Sequence, residues 1–287
     1  MKYFGGGWSL AHSKKRPNLN VYRKVDDREK LKDKINCYCK KCNRGRILMG
    51  CAIMVANMKG GVGKSTLTCY LADYFRQYQK KRNLSIIDTD VQGSAFEMLQ
   101  ADGGFDNLRH LPIGDRYDAV NVVTVDTIVR NHLSAAKDLL LIDTCAGKPD
   151  TICQIAMMCH CLLVPVSVNW GDIRPTRDFI EEIQDRKDSS RAITPHIIVV
   201  PNRIPYQQRD YSRLKEALSE LDVVIAPGLS DLSIVRHQTE KFSGMEATKG
   251  TRFYEEIIHF GNFIAEYILG GKLDSIYANN NVIELRR

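Results

Sequence analysis

One short run constrains this chain more than any other feature: Gly60-Gly61-Val62-Gly63-Lys64-Ser65-Thr66. It follows the apolar stretch Cys51–Ala56 and opens Lys64–Gln79, a segment that reads as a helix. Strand, glycine turn and helix in that order bring backbone N–H groups together, and the helix N-terminus adds partial positive charge. The glycines let the turn close on phosphate oxygens. Lys64 has the reach for the outer phosphates, and the Ser65 hydroxyl can ligate Mg²⁺.

From Ile47 onward, strand-length apolar runs alternate with helix-length segments. Strands are expected at Cys51–Ala56, Leu84–Asp88, Val120–Val125, Leu139–Asp143, Leu162–Val168, Ile197–Val200 and Val223–Ala226. Helices are expected at Lys64–Gln79, Val125–Lys137, Pro149–Met158, Arg174–Arg186, Tyr211–Leu221, Ser233–Phe242 and Arg252–Leu269. Such alternation predicts an α/β fold, a mostly parallel twisted sheet with helices on both faces. Several strands are apolar throughout, as strands covered on both faces must be. Residues 1–48 lack sustained periodicity and hold most of the basic charge: residues 1–50 carry 14 Lys+Arg against 4 Asp+Glu, whereas the other 237 carry 27 against 30. The expected organisation is a basic, cysteine-containing extension over 1–48, a nucleotide-binding domain over 49–270 and a tail over 271–287.

Two acidic motifs suit the loop. Leu84–Asp88 runs into Asp88-Thr89-Asp90-Val91-Gln92-Gly93, which places two carboxylates at a strand end. Leu139–Asp143 brings Asp143 out at the end of another buried strand. Carboxylates so placed can hold hydrated Mg²⁺ and orient an attacking water.

The loop departs from the general G-x-x-x-x-G-K-[ST] pattern. Met58 stands at its first glycine, and a second lysine, Lys59, lies near its start. With lysines at both ends it resembles the deviant Walker A motif of the ParA/MinD ATPase family of P-loop NTPases, over about Gly50 to Leu269. The resemblance implies that Lys59 reaches the nucleotide of a partner subunit and that Gly60, Gly61, Val62, Gly63, Lys64, Ser65 and Thr66 cradle ATP. It implies Ser65, Asp88 and Asp143 on the Mg²⁺ side, Asp90 positioning the water, and Lys59, Lys64 and Asp90 as the catalytic set. Val200-Pro201-Asn202-Arg203 and Ala226-Pro227-Gly228-Leu229 resemble the family's adenine pocket, with Asn202 reading the base and Pro227 in the loop that closes over it. Val91 stands in place of a proline, and Cys145 departs from the proline that usually follows the second acidic strand.

The implied function is an ATP-driven homodimer that partitions or positions DNA or a large cargo. It would bind nonspecific DNA and hydrolyse ATP slowly under a ParB-like or adaptor protein. A MinD-like membrane switch and an ATP-gated metal or electron carrier similar to the nitrogenase iron protein are the alternatives. The tail lacks a long amphipathic stripe, which disfavours the membrane. No apolar run approaches the roughly 18–20 residues that span a bilayer, so a cytoplasmic protein is expected, with association with the nucleoid left open.

Other features stay open at this level. Cys37, Cys39 and Cys42 have spacing that suits Zn²⁺, within a basic arm that could bind a polyanion or simply be a solvated leader. Cys159-His160-Cys161 allows an iron–sulfur reading but fits small core thiols better. Arg209, Arg213, Lys215, Arg236, Lys241, Lys249 and Arg252 are candidate DNA contacts, against which Glu255 and Glu256 set an acidic stretch.

Overall fold

The computed structural model describes residues 50–114, 118–135, 137–147, 149–189, 195–205, 210–231 and 242–269. The extension 1–48 with its three cysteines, the tail 271–287 and all but the last residue of the expected helix at 233–242 lie outside these residues. Seven strands form one sheet: β1 (Cys51–Val55), β2 (Asn83–Asp88), β3 (Leu108–His110), β4 (Asp138–Asp143), β5 (Cys161–Val166), β6 (His196–Pro201) and β7 (Val224–Ile225). Their order is β3-β2-β4-β1-β5-β6-β7, and every pairing is parallel.

The helices are α1 (Lys64–Tyr78), α2 (Ser94–Asp102), α3 (Asp118–Ser134), α4 (Pro149–Ala156), α5 (Trp170–Ser189), α6 (Ser212–Ala217) and α7 (Arg252–Leu269). Alternate strand residues feed two cores. Ile53 and Val55 join Leu67, Leu71 and Phe75 of α1 and Phe260 and Ile264 of α7. Ala52 and Met54 join Val125 and Val129 of α3, Ile152 of α4 and Ile180 of α5. Burial of each large apolar side chain contributes about 1.5–3 kcal/mol, so the two layers rather than local propensity fix the sheet.

The expected α/β architecture is present, with specific corrections. Val120–Val125 is no strand but the first half of α3. Its β-branched composition favours extended chain, yet Val125 and Val129 are buried one helical turn apart, while Val120 and Val123 face outward. Tertiary packing overrides propensity there. The edge strand β3 is only three residues long and α2 nine, too short for a periodic signal. The segment expected as a helix over Tyr211–Leu221 is helical only over Ser212–Ala217. The expected Arg174–Arg186 helix begins earlier, at Trp170, opened by the Asp172 and Ile173 N–H groups on the Asn169 carbonyl at 2.9 and 3.1 Å, and Pro175 lies within it at the cost of one helical hydrogen bond.

β1 lies between β4 and β5, with β2, β3 and β4 added on one side of it and β5, β6 and β7 on the other, so the direction of winding reverses beside it. Ligands of open parallel sheets settle at such a reversal, beyond the carboxyl ends of the strands. Register places Val55, Asp143, Asp88 and His110 in one row across β1, β4, β2 and β3 at that end.

Candidate functional site

The loop between β1 and α1 begins on a residue that the sequence did not flag. Asn57 is fully buried, and its amide nitrogen donates to the Pro165 carbonyl and to Thr176 Oγ1, both at 2.8 Å. Its carbonyl oxygen accepts the Lys59 N–H at 3.0 Å, which sets the angle at which the loop leaves the sheet. Gly61 and Gly63 have φ of 74° and 87°, where only glycine is unstrained. A Cβ on Gly63 would also come within 2.6 Å of Asn202 Nδ2. No side chain caps the first turn of α1, so its N–H groups point into the loop as donors for an anion.

Lys64 is buried inside this turn, with Nζ 3.2 Å from the Lys59 carbonyl oxygen. Burial presses its pKa down, against the opposing pull of Asp143, Asp90 and Cys145. A partly desolvated ammonium among amide donors is poised for phosphate oxygens. Lys59 lies at the loop entrance with its side chain 44% exposed and Nζ 3.5 Å from Asp172 of α5.

Beneath the loop, Asp143 is fully buried. It accepts the Ser65 hydroxyl on one oxygen and the Thr68 hydroxyl on the other, both at 2.7 Å. Burial, with Asp88 beside it, pushes its carboxyl up to about 7. A hydroxyl and a carboxylate at the foot of a phosphate loop form the donor set of an oxygen-coordinated Mg²⁺, so Ser65 and Asp143 fit that ion. Asp88 sits next to Asp143 in the sheet and is also buried. Its oxygens accept the N–H groups of Asp90 and Phe96 at 2.8 and 2.9 Å, so its visible work is to brace the Asp90–Phe96 segment. The Asp90 carboxylate is less committed, accepting only the Gln92 N–H at 3.0 Å among the described contacts.

The raised Asp143 pKa has a measurable consequence. The folded chain holds this proton between the ordinary 3.8 and about 7, while the unfolded chain has released it. The group's contribution to stability is therefore whole below the lower value, declines through this window and is lost above it. An amide in its place cannot ionise. In nucleotide- and metal-free protein, Asp143→Asn should raise stability at pH 8 by about 2 kcal/mol or more and leave it nearly unchanged at pH 4. Denaturant melts at the two values check this; equal shifts at both would contradict it.

Beside the loop is a cleft of about 200 Å³, lined among others by Thr66, Tyr70, Asn202, Leu229, Ser230 and Phe253. The Asn202 amide nitrogen donates to the Val62 carbonyl at 2.8 Å, which leaves its own carbonyl oxygen for a ligand. Arg203, at φ 54°, donates to the Gly61 carbonyl. Pro227 is not among the lining residues, and the loop reaches the cleft two residues later, at Leu229. That loop is held by Glu256, whose two oxygens accept the Ser230 N–H and hydroxyl, each at 2.8 Å. Arg252 donates to the same carboxylate. Glu256 therefore does structural work at the cleft and is not a bare acidic face.

Of the candidate DNA contacts, Arg209, Arg236 and Lys241 lie outside the described residues. Lys249 pairs with Glu246 and Arg252 with Glu256. Arg213 and Lys215 flank Leu214 of α6, which packs in the core on the other side of the sheet from α7. Cys159 and Cys161 are buried in opposite cores, which corrects the iron–sulfur reading of that triplet. Among the described residues no group of three or more His, Cys, Asp or Glu side chains could hold a metal, and no helix is long and apolar enough to cross a membrane.

A search of curated protein sequences finds no match. Solved structures do resemble this fold. The McdA–ATP complex of Cyanothece superposes with a TM-score of 0.59 at 16% identity, over 78% of this chain and 98% of that one. The MinC:MinD cell division complex of Aquifex aeolicus gives 0.56 at 17%, over 75% and 95%. MinD of Pyrococcus horikoshii OT3 with Mg-ADP gives 0.54 at 15%, over 75% and 96%. The family model for the CobQ/CobB/MinD/ParA nucleotide binding domain matches residues 53–243, from within β1 to beyond the cleft loop, and the chain belongs to that family.

Proposed function

We infer that this protein binds Mg²⁺·ATP at Gly60–Thr66, dimerises around it and hydrolyses it slowly. The ATP-bound dimer would hold nonspecific DNA and a ParB-like or adaptor protein that speeds hydrolysis, and so position DNA or another large cargo. The observation that carries the reading is the convergence of the Ser65 and Thr68 hydroxyls on the buried Asp143 carboxylate, beneath uncapped α1 amides and Lys64. Similar proteins are described with ATP and with Mg-ADP, which supports the choice of ligand.

Each residue then has a task. The α1 amides and Lys64 take the phosphate oxygens, and Asn202 and the Leu229–Asp231 loop take the base. Ser65 and Asp143 would hold Mg²⁺, which when bound supplies charge neutralisation at the phosphates. Asp88 would act on the hydrated ion through the lone pairs its backbone donors leave over, and Asp90 would orient the attacking water. Lys59 would reach the partner's nucleotide. Its exposed pairing with Asp172 is worth at most about 1 kcal/mol, so releasing it costs little. ATP favours the dimer by binding it better than the monomer, and hydrolysis removes that preference.

Light scattering with Mg²⁺ and either ATP or ADP tests the reading. ATP should double the mass, ADP should not, and Lys59→Ala should stay monomeric while still binding ATP. An unchanged wild-type mass with ATP would sink the dimer. Retention on random-sequence duplex should follow the dimer and weaken steeply with salt, because only phosphates are contacted.

A further inference from the structure

We propose that His110, which neither the sequence motifs nor the family pattern singles out, is a positioning residue for hydrolysis, acting through the backbone of Asp90. The proposal rests on the ATPase reading above. β3 ends on His110, directly beside Asp88 in the sheet. Its Nε2 lies 2.7 Å from the Asp90 carbonyl oxygen. A carbonyl only accepts, so Nε2 carries the proton, and both the Nε2–H tautomer and the imidazolium supply it. The same oxygen accepts the Gly93 N–H at 3.0 Å.

The neighbouring residues are shaped around the ring. Phe96 stacks on it at 5.5 Å between centroids and 23° between planes. Gly93, at φ 64°, has no Cβ where one would come within 3.0 Å of the imidazole Cε1. Asp88 binds the two ends of the segment through the N–H groups of Asp90 and Phe96, and His110 fixes the peptide between Asp90 and Val91. The Asp90 carboxylate itself has one backbone donor, so its direction depends on that peptide. Without the imidazole that carbonyl keeps only the Gly93 N–H, and rotation of the loosened peptide would swing the carboxylate; misplacements on the order of 1 Å lower rates by up to roughly a hundredfold.

The test compares His110→Leu, which fills the space without a donor, with His110→Gln, whose amide nitrogen reaches about as far. The Leu variant should lose kcat roughly tenfold while ATP affinity and ATP-driven dimerisation hold, and the Gln variant should recover most of the loss. Combined with Asp90→Ala, the Leu substitution should cost nothing further. A wild-type rate in His110→Leu overturns the proposal. So does a Gln variant as slow as Leu, which would assign the effect to ring packing. So does an undiminished Leu effect in the Asp90→Ala background. If the wild-type protein does not hydrolyse ATP at all, the underlying reading fails and the proposal with it, a result none of the other outcomes resembles.

Discussion

Lys64→Ala is expected to weaken Mg²⁺·ATP binding by roughly a hundredfold or more and to leave no measurable hydrolysis, without harming the fold. The residue is 7% exposed and burial disfavours its charge. Its hydrogen bond in the free protein is to the Lys59 carbonyl, which sits on exposed chain and can bond to water instead. The free protein therefore loses an unfavourably buried cation and little else. Its thermal midpoint should stay the same or rise slightly. With nucleotide the balance reverses, because the buried charge meets phosphate oxygens in a place that water does not screen. Calorimetric titration with ATP and melting of the nucleotide-free variant separate the two effects. Normal affinity in a well-folded Lys64→Ala protein would contradict the phosphate assignment.

The parts of this site that could be read from sequence are those fixed by local chemistry. Gly61 and Gly63 announce themselves because positive φ admits little else, and Asp88 and Asp143 because a carboxylate ending a buried apolar strand is costly without a task. The parts that could not be read are those fixed by contacts distant in the chain. Asn57 acquires its role only when β5 and α5 arrive beside it, more than 100 residues later. In the sequence Glu256 reads as an acid set against DNA; only the fold brings it under Ser230, 26 residues earlier. Its spacing of four from Arg252 is the one available hint, since i,i+4 partners share a helix face. The misreading of Val120–Val125 has the same origin. Six residues rich in valine state a preference for extended chain, and the core that receives Val125 and Val129 decides otherwise. Most of the sheet is legible as alternation of strands and helices, but β3 and α2 are not, and they are the elements that carry His110 and Phe96 to the Asp90 segment.

That segment gives the second large effect. Asp90→Ala should slow hydrolysis by roughly a hundredfold or more while leaving ATP affinity and ATP-driven dimerisation in place. The separation follows from how the loop is held. Its frame consists of the Asp90 N–H on Asp88, the Phe96 N–H on Asp88 and the Asp90 carbonyl on His110, all of which survive when the side chain is cut back to a methyl. What disappears is a carboxylate within electrostatic reach of Lys64, bound by one backbone N–H and otherwise available to a water. The phosphate contacts proposed for α1 and Lys64 and the metal ligands proposed at Ser65 and Asp143 are untouched, so the state that ATP stabilises should persist longer than in the wild type. Asp88→Ala provides the contrast, because it removes the acceptor for both ends of the segment and should lower thermal stability as well as the rate. Light scattering with ATP distinguishes the cases. An Asp90→Ala protein that cannot dimerise with ATP would place that carboxylate in assembly and take from it the role of orienting water.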